Sequence, residues 1–413
     1  MVVVVVFLTG VASNAQDTLR ITLQDAEQQF IQNNLALLAA KYDIHIAQAQ
    51  LIQAKLYNNP TIAVSGNLYN PDLKKPFDIT NKTGQYVVQL QQLITLAGKR
   101  NKQISLAKTN TRIAEYHFYD LLRTLRFSLR SNYYGMLRLH QSRDAYQVQI
   151  NSLQQLSAAY SDLQAKGTVT LKDAVRIKSL LYTLQAEQTS LQNQLNDLQA
   201  ELQLLLHDNK HYYLPVDLGD SPEPLHQYPL QALVDSAFTN RYDLKAADAN
   251  ALYSRQNYQL QKALRTPDLT LGVEFDKRGS FVDNATFLNA AIDLPFFNRN
   301  QGNIKAAQSQ VEQSSVQYQQ QQLVVENEVQ KAYIKALNTG KMLQSFDPAF
   351  KKQFDRLLQG ITENFQKKNI SLLEFTDFYE SWKDNVLQWN QLRNEKDQAM
   401  EALNFAVGKT LFN

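Results

Sequence analysis

The sequence predicts a mainly helical chain with a small β part, built twice from one unit of helix, two strands, very long helix, turn and long helix. Three observations lead there. First, a shift of about 200 residues superposes the two halves. Leu23, Asn33, Leu37, Ala40 and Pro60 reappear as Leu230, Asn240, Leu244, Ala247 and Pro267. Ile104 and Ala107 match Ile304 and Ala307, and Val169-Thr170-Leu171 matches Ile370-Ser371-Leu372. Second, each half carries two runs of about ten residues that alternate apolar and polar. Third, each half ends in an apolar ladder with heptad spacing. A period this long is a duplicated domain, not a solenoid.

The bulk numbers narrow the chemistry. The chain has 413 residues, no cysteine, 13 glycines and 10 prolines. Few turn formers mean long elements. Without cysteine there is no disulfide, thiolate metal site or thiol nucleophile. A net charge of +3 gives no basic footprint for nucleic acid.

Residues 1–15 form a short apolar run ending in Ser13-Asn14-Ala15, the pattern of a secretory signal peptide without its basic start. A buried strand would also use such residues. No other stretch has the length of a spanning helix.

The first repeat is expected over residues 16–208. Thr22 caps a helix, with Asp25 three residues on, and Asn58-Asn59-Pro60 stops it. Strands follow at about 61–70 and 85–94, joined by a loop with Pro71, Pro76 and Gly84. A long helical hairpin then fills about 97–208. Its first helix, about Ala97 to Lys166, lacks proline and would measure roughly 105 Å at the α-helical rise. Its second carries the ladder Ile177, Leu181, Leu184, Leu191, Leu195, Leu198, Leu202 and Leu205. Such a seam implies left-handed supercoiling.

Residues 209–228, with Pro215, Gly219, Pro222 and Pro224, read as a linker running along the outside. The second repeat is expected over 229–413. Pro229 suits the first turn of its opening helix. Strands are expected at about 268–278 and 284–294, and a long helical hairpin at about 298–408. Pro348 predicts a break near Phe346. Leu372, Phe375, Tyr379, Trp382, Val386 and Trp389 continue the heptad stepping.

In copy two, Leu271, Val273 and Phe275 point one way, and Thr270, Glu274 and Asp276 the other. The length and period fit transmembrane β-strands. A half-buried strand pair in a soluble sheet would satisfy the same alternation. Four strands per chain leave two unpaired edges, which lipid does not tolerate. Three chains of four strands would close a twelve-stranded barrel. The long helices would continue that cylinder into water as a helical wall. The fold class expected on that closure is a trimeric α-helical barrel continuous with a 12-stranded transmembrane β-barrel.

The duplication, the strand pairs after Pro60 and Pro267 and the helix hairpins resemble the TolC-type outer-membrane efflux proteins over nearly the whole mature chain. Two junctions sharpen the likeness. Leu96-Ala97-Gly98-Lys99-Arg100 follows the second strand, and Leu294-Pro295-Phe296-Phe297-Asn298-Arg299-Asn300-Gln301-Gly302 follows the fourth. Both look like the heavy-metal branch, the cobalt–zinc–cadmium and copper–silver systems. That resemblance implies a homotrimeric channel in the outer membrane of a Gram-negative bacterium, with its helical part in the periplasm. It implies work as the passive exit duct of a tripartite pump for metal ions or small molecules. The implied partners are a periplasmic adaptor (membrane fusion protein), an inner-membrane RND-type transporter and outer-membrane lipid. No cofactor is implied. Many metal-efflux relatives carry a lipidated cysteine, which this chain lacks.

Candidate sites follow from that frame. The resemblance makes the hairpin turns the periplasmic tips, with Gly167, Thr168, Val169, Asn369, Ile370 and Ser371 as adaptor-docking residues. They would also serve simply as good turns. Asp173, Glu374 and Asp377 stand just beyond and would form rings of gate acids in a trimer. Acids in a first helical turn are equally explained by the helix dipole. Glu274 and Asp276 should face water in the barrel lumen. Tyr69 and Tyr86 suit a membrane interface. His207 and His211 have a chelating spacing but no third ligand in register, so no metal site and no catalytic residue is expected. Two other readings remain: the outer-membrane channel of a type I protein secretion system, and a soluble periplasmic coiled-coil adaptor or scaffold.

Overall fold

A computed structural model describes residues 17–217, 228–279, 281–346, 348–367 and 369–411. The expected signal peptide, 1–15, lies outside them. The chain divides into two units: Met1–Leu38, Leu121–Arg241 and Val325–Asn413 form one, Ala39–Asp120 and Tyr242–Val324 the other. Each unit draws on both sequence repeats.

The second unit holds a four-stranded antiparallel sheet of β2 (Thr61–Gly66), β5 (Tyr86–Ile94), β7 (Leu269–Asp276) and β8 (Ala285–Ile292), in the order β2-β5-β7-β8. Each copy's pair is joined to the other through β5 and β7, so the duplication is fused into one sheet. The first strand is shorter than expected. Tyr69–Asn70 (β3) instead pairs with Lys75–Pro76 (β4) in a separate small hairpin. Asn70 Oδ1 accepts from the Asp72 and Leu73 amides there, a local turn that ends the longer run.

The helices begin with α1 (Leu23–Asn33) and α2 (Leu35–Ala54). The single helix expected from Thr22 is therefore broken. Asn34 is the cause. Its backbone is extended, its side chain donates to the Leu205 carbonyl at 2.9 Å, and its Oδ1 caps Leu37 N–H at 3.0 Å. The second repeat breaks likewise between α5 (Leu230–Asn240) and α6 (Tyr242–Leu264). There Arg241 is buried and donates to the Ala406 carbonyl.

The long hairpins are α3 (Lys99–Ala165) with α4 (Leu171–Leu206), and α7 (Gln301–Gln344) and α8 (Pro348–Gln366) with α9 (Leu372–Val407). The second repeat's counterpart of α3 is interrupted at Ser345–Phe346, just ahead of Pro348, whose ring removes a helical donor. In the first unit the ladder residues Ile177, Leu181 and Leu184 meet Phe375, Tyr379 and Trp382 in one buried cluster. Phe365 stacks on Phe375 with ring centroids 4.4 Å apart and planes 12° apart. The heptad seam of each sequence copy is thus the core that joins the two hairpins.

The expected outer linker is not merely a linker. Its residues His211–Pro215 (β6) pair in parallel with β1 (Asp17–Ile21). Tyr213 is fully buried and donates to Asp208 at 2.7 Å. Tyr133 Oη satisfies the Val216 backbone by accepting from its N–H at 3.0 Å. Parallel pairing between distant segments leaves no local turn signal, so composition alone suggested a loop.

Buried ion pairs fix helix register in the same unit. Arg130 bridges Glu27 and Glu401, the latter at 2.9 Å, and Arg138 meets Asp397 at 2.8 Å. Burying one partner alone would be far costlier than burying both.

Candidate functional site: an open-edged sheet and two helix tips

The sheet register sorts side chains onto two faces. Ile62, Leu90, Val273 and Leu288 lie opposite one another across all four strands. Their exposures are 69%, 50%, 50% and 80%. Val64, Val88 and Phe275 form the next row on that face, and Ile94, Leu269 and Ile292 another. The opposite face carries Thr61, Gln91, Gln89, Glu274 and Asn289. An apolar face this continuous and uncovered marks contact with lipid or protein, not water. Among the described residues, both outer strands, β2 and β8, have no strand partner on one side.

Glu274 sits on the polar face, where Asn289 donates to it at 3.0 Å. Asp276 differs from expectation. It is 8% exposed, so it is no free carboxylate facing water. Its Oδ1 accepts from the Arg278 and Gly279 amides at 3.1 and 2.7 Å and closes the β7–β8 turn. Alternation gives a face, but the last residue of a strand also belongs to its turn. Tyr86 lies on this sheet with its ring 6.2 Å from Phe275, and Tyr69 lies in the small hairpin.

The strand-to-helix junctions explain the two signature runs. Ala97 and Gly98 both take positive φ, 54° and 64°, a sharp reversal that glycine tolerates best. Lys99 Nζ then reaches Asp268 Oδ1 at 2.7 Å, and the same oxygen accepts from Leu96 N–H at 2.9 Å. Arg100 lies over the Tyr57 ring, 3.9 Å from its centroid. In the other copy Asn300 takes φ 59° and donates to the Gln261 carbonyl at 2.9 Å.

At the first helix tip Gly167 has φ 69° with open space around it, and Thr168 N–H reaches back to Leu163 O at 2.9 Å. Thr170 caps α4. At the second tip Asn369 N–H reaches Asn364 O at 2.9 Å, and Ser371 and Glu374 form a complete capping box. Ile370 precedes that cap and packs against the cluster that contains Phe375. This is the spacing of a hydrophobic staple. Val169 is likewise half-buried. The apolar residues presented outward near the tips are instead Leu171, Val175 and Leu373. Sequence reasoning missed them. The phase set by each N-cap residue was the available signal.

The acids divide by role. Asp173 Oδ2 accepts from the Thr170 hydroxyl at 2.7 Å, and Glu374 Oε2 from Ser371 N–H at 2.8 Å. These bonds hold the Glu374 carboxyl below the usual carboxylate range. Asp377 is exposed and makes no such bond. His207 ends α4 in a left-handed conformation, while His211 Nδ1 bonds Asp208 at 2.7 Å. The two rings therefore do not share a helical face.

Among the described residues no helix is long and apolar enough to cross a membrane, a statement that does not bear on strands. Comparison with known proteins is consistent with this geometry. The outer-membrane channel CmeC of Campylobacter jejuni superposes with TM-score 0.77 at 14% identity, over 95% of this chain and 87% of that one. VceC of Vibrio cholerae gives 0.75 at 17%, over 94% and 96%. CusC gives 0.73 at 16%, over 94% and 92%. No curated protein sequence matches. The model of the outer membrane efflux protein family matches residues 26–206 and 233–409, both repeats almost end to end. The chain therefore belongs to the outer membrane efflux protein family, the outer-membrane exit ducts of efflux pumps.

Proposed function

We propose that three copies close one twelve-stranded barrel and act as a passive conduit for metal ions or small molecules. The observation that carries this reading is the four-residue apolar row Ile62–Leu90–Val273–Leu288 on a sheet with both edges open. Four antiparallel strands make β2 and β8 antiparallel to each other, so copies joined edge to edge preserve one all-antiparallel barrel. Lipid then covers the apolar face, and Gln89, Gln91 and Glu274 line water. Catalysis has no part in this reading: the pump supplies energy and the duct supplies a path.

The tips serve as the docking point for a periplasmic adaptor that links the duct to an inner-membrane RND-type transporter. Leu171, Val175 and Leu373 offer apolar anchors of the kind that helical hairpins bury in a groove. Asp377 is the acid best suited to a cation-attracting ring, because its carboxylate is not committed to a helix cap. The likeness of both junctions to metal-efflux proteins favours a metal ion as cargo.

Reconstitution in a planar bilayer tests the conduit. Discrete, cation-preferring single-channel steps are expected from the purified protein. A protein that inserts but never conducts, under any voltage or adaptor addition, contradicts it.

A further inference from the structure

Two features at the helix end of the sheet remain unused by the conduit reading. Where Gln92 of β5 donates to the Asn58 carbonyl just ahead of β2, a cavity of about 370 Å³ is lined by Leu56, Tyr57, Leu93, Ile94 and Arg100, with amide side chains completing its wall. Beyond the open edge β8, Phe296 and Phe297 stand 66% and 95% exposed. Their backbone is held in place. Arg299 Nε donates to Phe296 O, and Gln301 Nε2 to Phe297 O at 3.3 Å. The backbone that carries the two rings is tethered, and the rings themselves stand largely uncovered.

We propose that the Phe296–Phe297 pair of one chain seats in the Tyr57–Arg100 cavity of a second copy and locks adjacent barrel edges together. This rests on the edge-to-edge closure proposed above. The strand order puts β8 of one copy against β2 of the next, and both features sit at the same end of those strands. The cavity chemistry suits an aromatic guest. Leu56, Leu93 and Ile94 supply apolar wall. Arg100 covers one face of Tyr57 and donates from Nε to the Lys55 carbonyl at 3.2 Å. Among the described residues no carboxylate pairs with its guanidinium. A guanidinium in this state takes an aromatic face readily. Sequestering the two Phe rings would remove the most exposed aromatic surface on this rim.

The chain has no cysteine, which makes a clean test. In the full-length protein purified in detergent, Leu56→Cys with Phe297→Cys is treated with a short bismaleimide and run on a denaturing gel. Covalent dimers and trimers are expected from the double variant, and neither from the single variants. Phe296→Ala with Phe297→Ala, carrying no new thiol, should lower the temperature at which the multimer dissociates. Phe297→Trp should restore part of it. If the wild type is multimeric but the double-cysteine variant links only within one chain, or not at all, the lock is wrong. Labelling of the Phe297→Cys thiol by a lipid-soluble maleimide without cross-linking assigns the rings to lipid and also overturns it. A wild type that is a single chain defeats the edge closure itself, a separate failure that takes the lock with it.

Discussion

Ser371 and Glu374 hold each other. The Ser371 hydroxyl oxygen accepts from Glu374 N–H at 3.2 Å while the Glu374 carboxylate accepts from Ser371 N–H at 2.8 Å. This pair starts α9 at the tip, and it changes what Glu374→Ala would report. Loss of the reciprocal bond from the Ser371 amide should loosen the start of α9 and speed amide exchange in its first turn. Exchange unchanged from wild type there would contradict the capping role.

Asp377 separates gating from folding. Asp377→Ala should leave the melting temperature within a degree or so, since exposed substitutions act weakly. It should change cation selectivity or single-channel conductance. Conductance identical to wild type across salt concentrations removes Asp377 from the gate.

The outward tip residues give a binding prediction. Leu171→Asp with Leu373→Asp should weaken adaptor binding by tenfold or more, while thermal stability stays near wild type. Ile370→Ala should instead loosen its tip, because that side chain packs against the buried cluster. Calorimetric titration with the purified adaptor, beside thermal melts, distinguishes the two sets. Full affinity in the double Asp variant would move the docking surface elsewhere.

His140 makes stability depend on pH. Both ring nitrogens are buried without a hydrogen-bond partner, and the ring lies edge-on to Tyr212. Burial first, then the nearby Arg143 charge, pushes its pKa from 6.5 down to about 4. The unfolded chain takes up a proton near 6.5 that the folded site refuses until about 4. Stability present above that upper value is therefore lost as pH falls between the two, by up to about 3 kcal/mol. His140→Phe should show a smaller fall in melting temperature from about pH 7 to about pH 5. An equal fall in both proteins would contradict this source.

Much of the fold was legible because its signals are local. The period-two runs of Leu271–Phe275 and Leu288–Ile292 and the heptad seam from Ile177 each fix a face without knowledge of distant residues. The caps at Thr170 and Ser371 are read the same way. What was illegible depends on distant partners. The β1–β6 pair joins the start of the first repeat to the segment expected to be a linker. Asn34 breaks a helix by bonding Leu205. Asp276 fits the lumen pattern but is taken by its own turn. Turns do fall between α3 and α4 and between α8 and α9, but Ile370 packs back on the cluster, as a residue before an N-cap does.

The sheet itself offers a paired test. Leu288→Arg puts charge on the apolar face and should cost about 2–4 kcal/mol if that face meets lipid. Gln91→Arg, on the polar face, should cost far less. Urea titration of the folded protein in lipid vesicles measures both. Equal costs would mean that the two faces share one solvent.

Mass of the purified protein in detergent, by light scattering with the detergent contribution subtracted, tests the central claim most directly. Three chains per particle, with aggregation once detergent is withdrawn, is the expected result. A stable single chain of 47.2 kDa or less in detergent-free buffer would show that the open edges and the bare apolar row need no neighbours, and the account would fail.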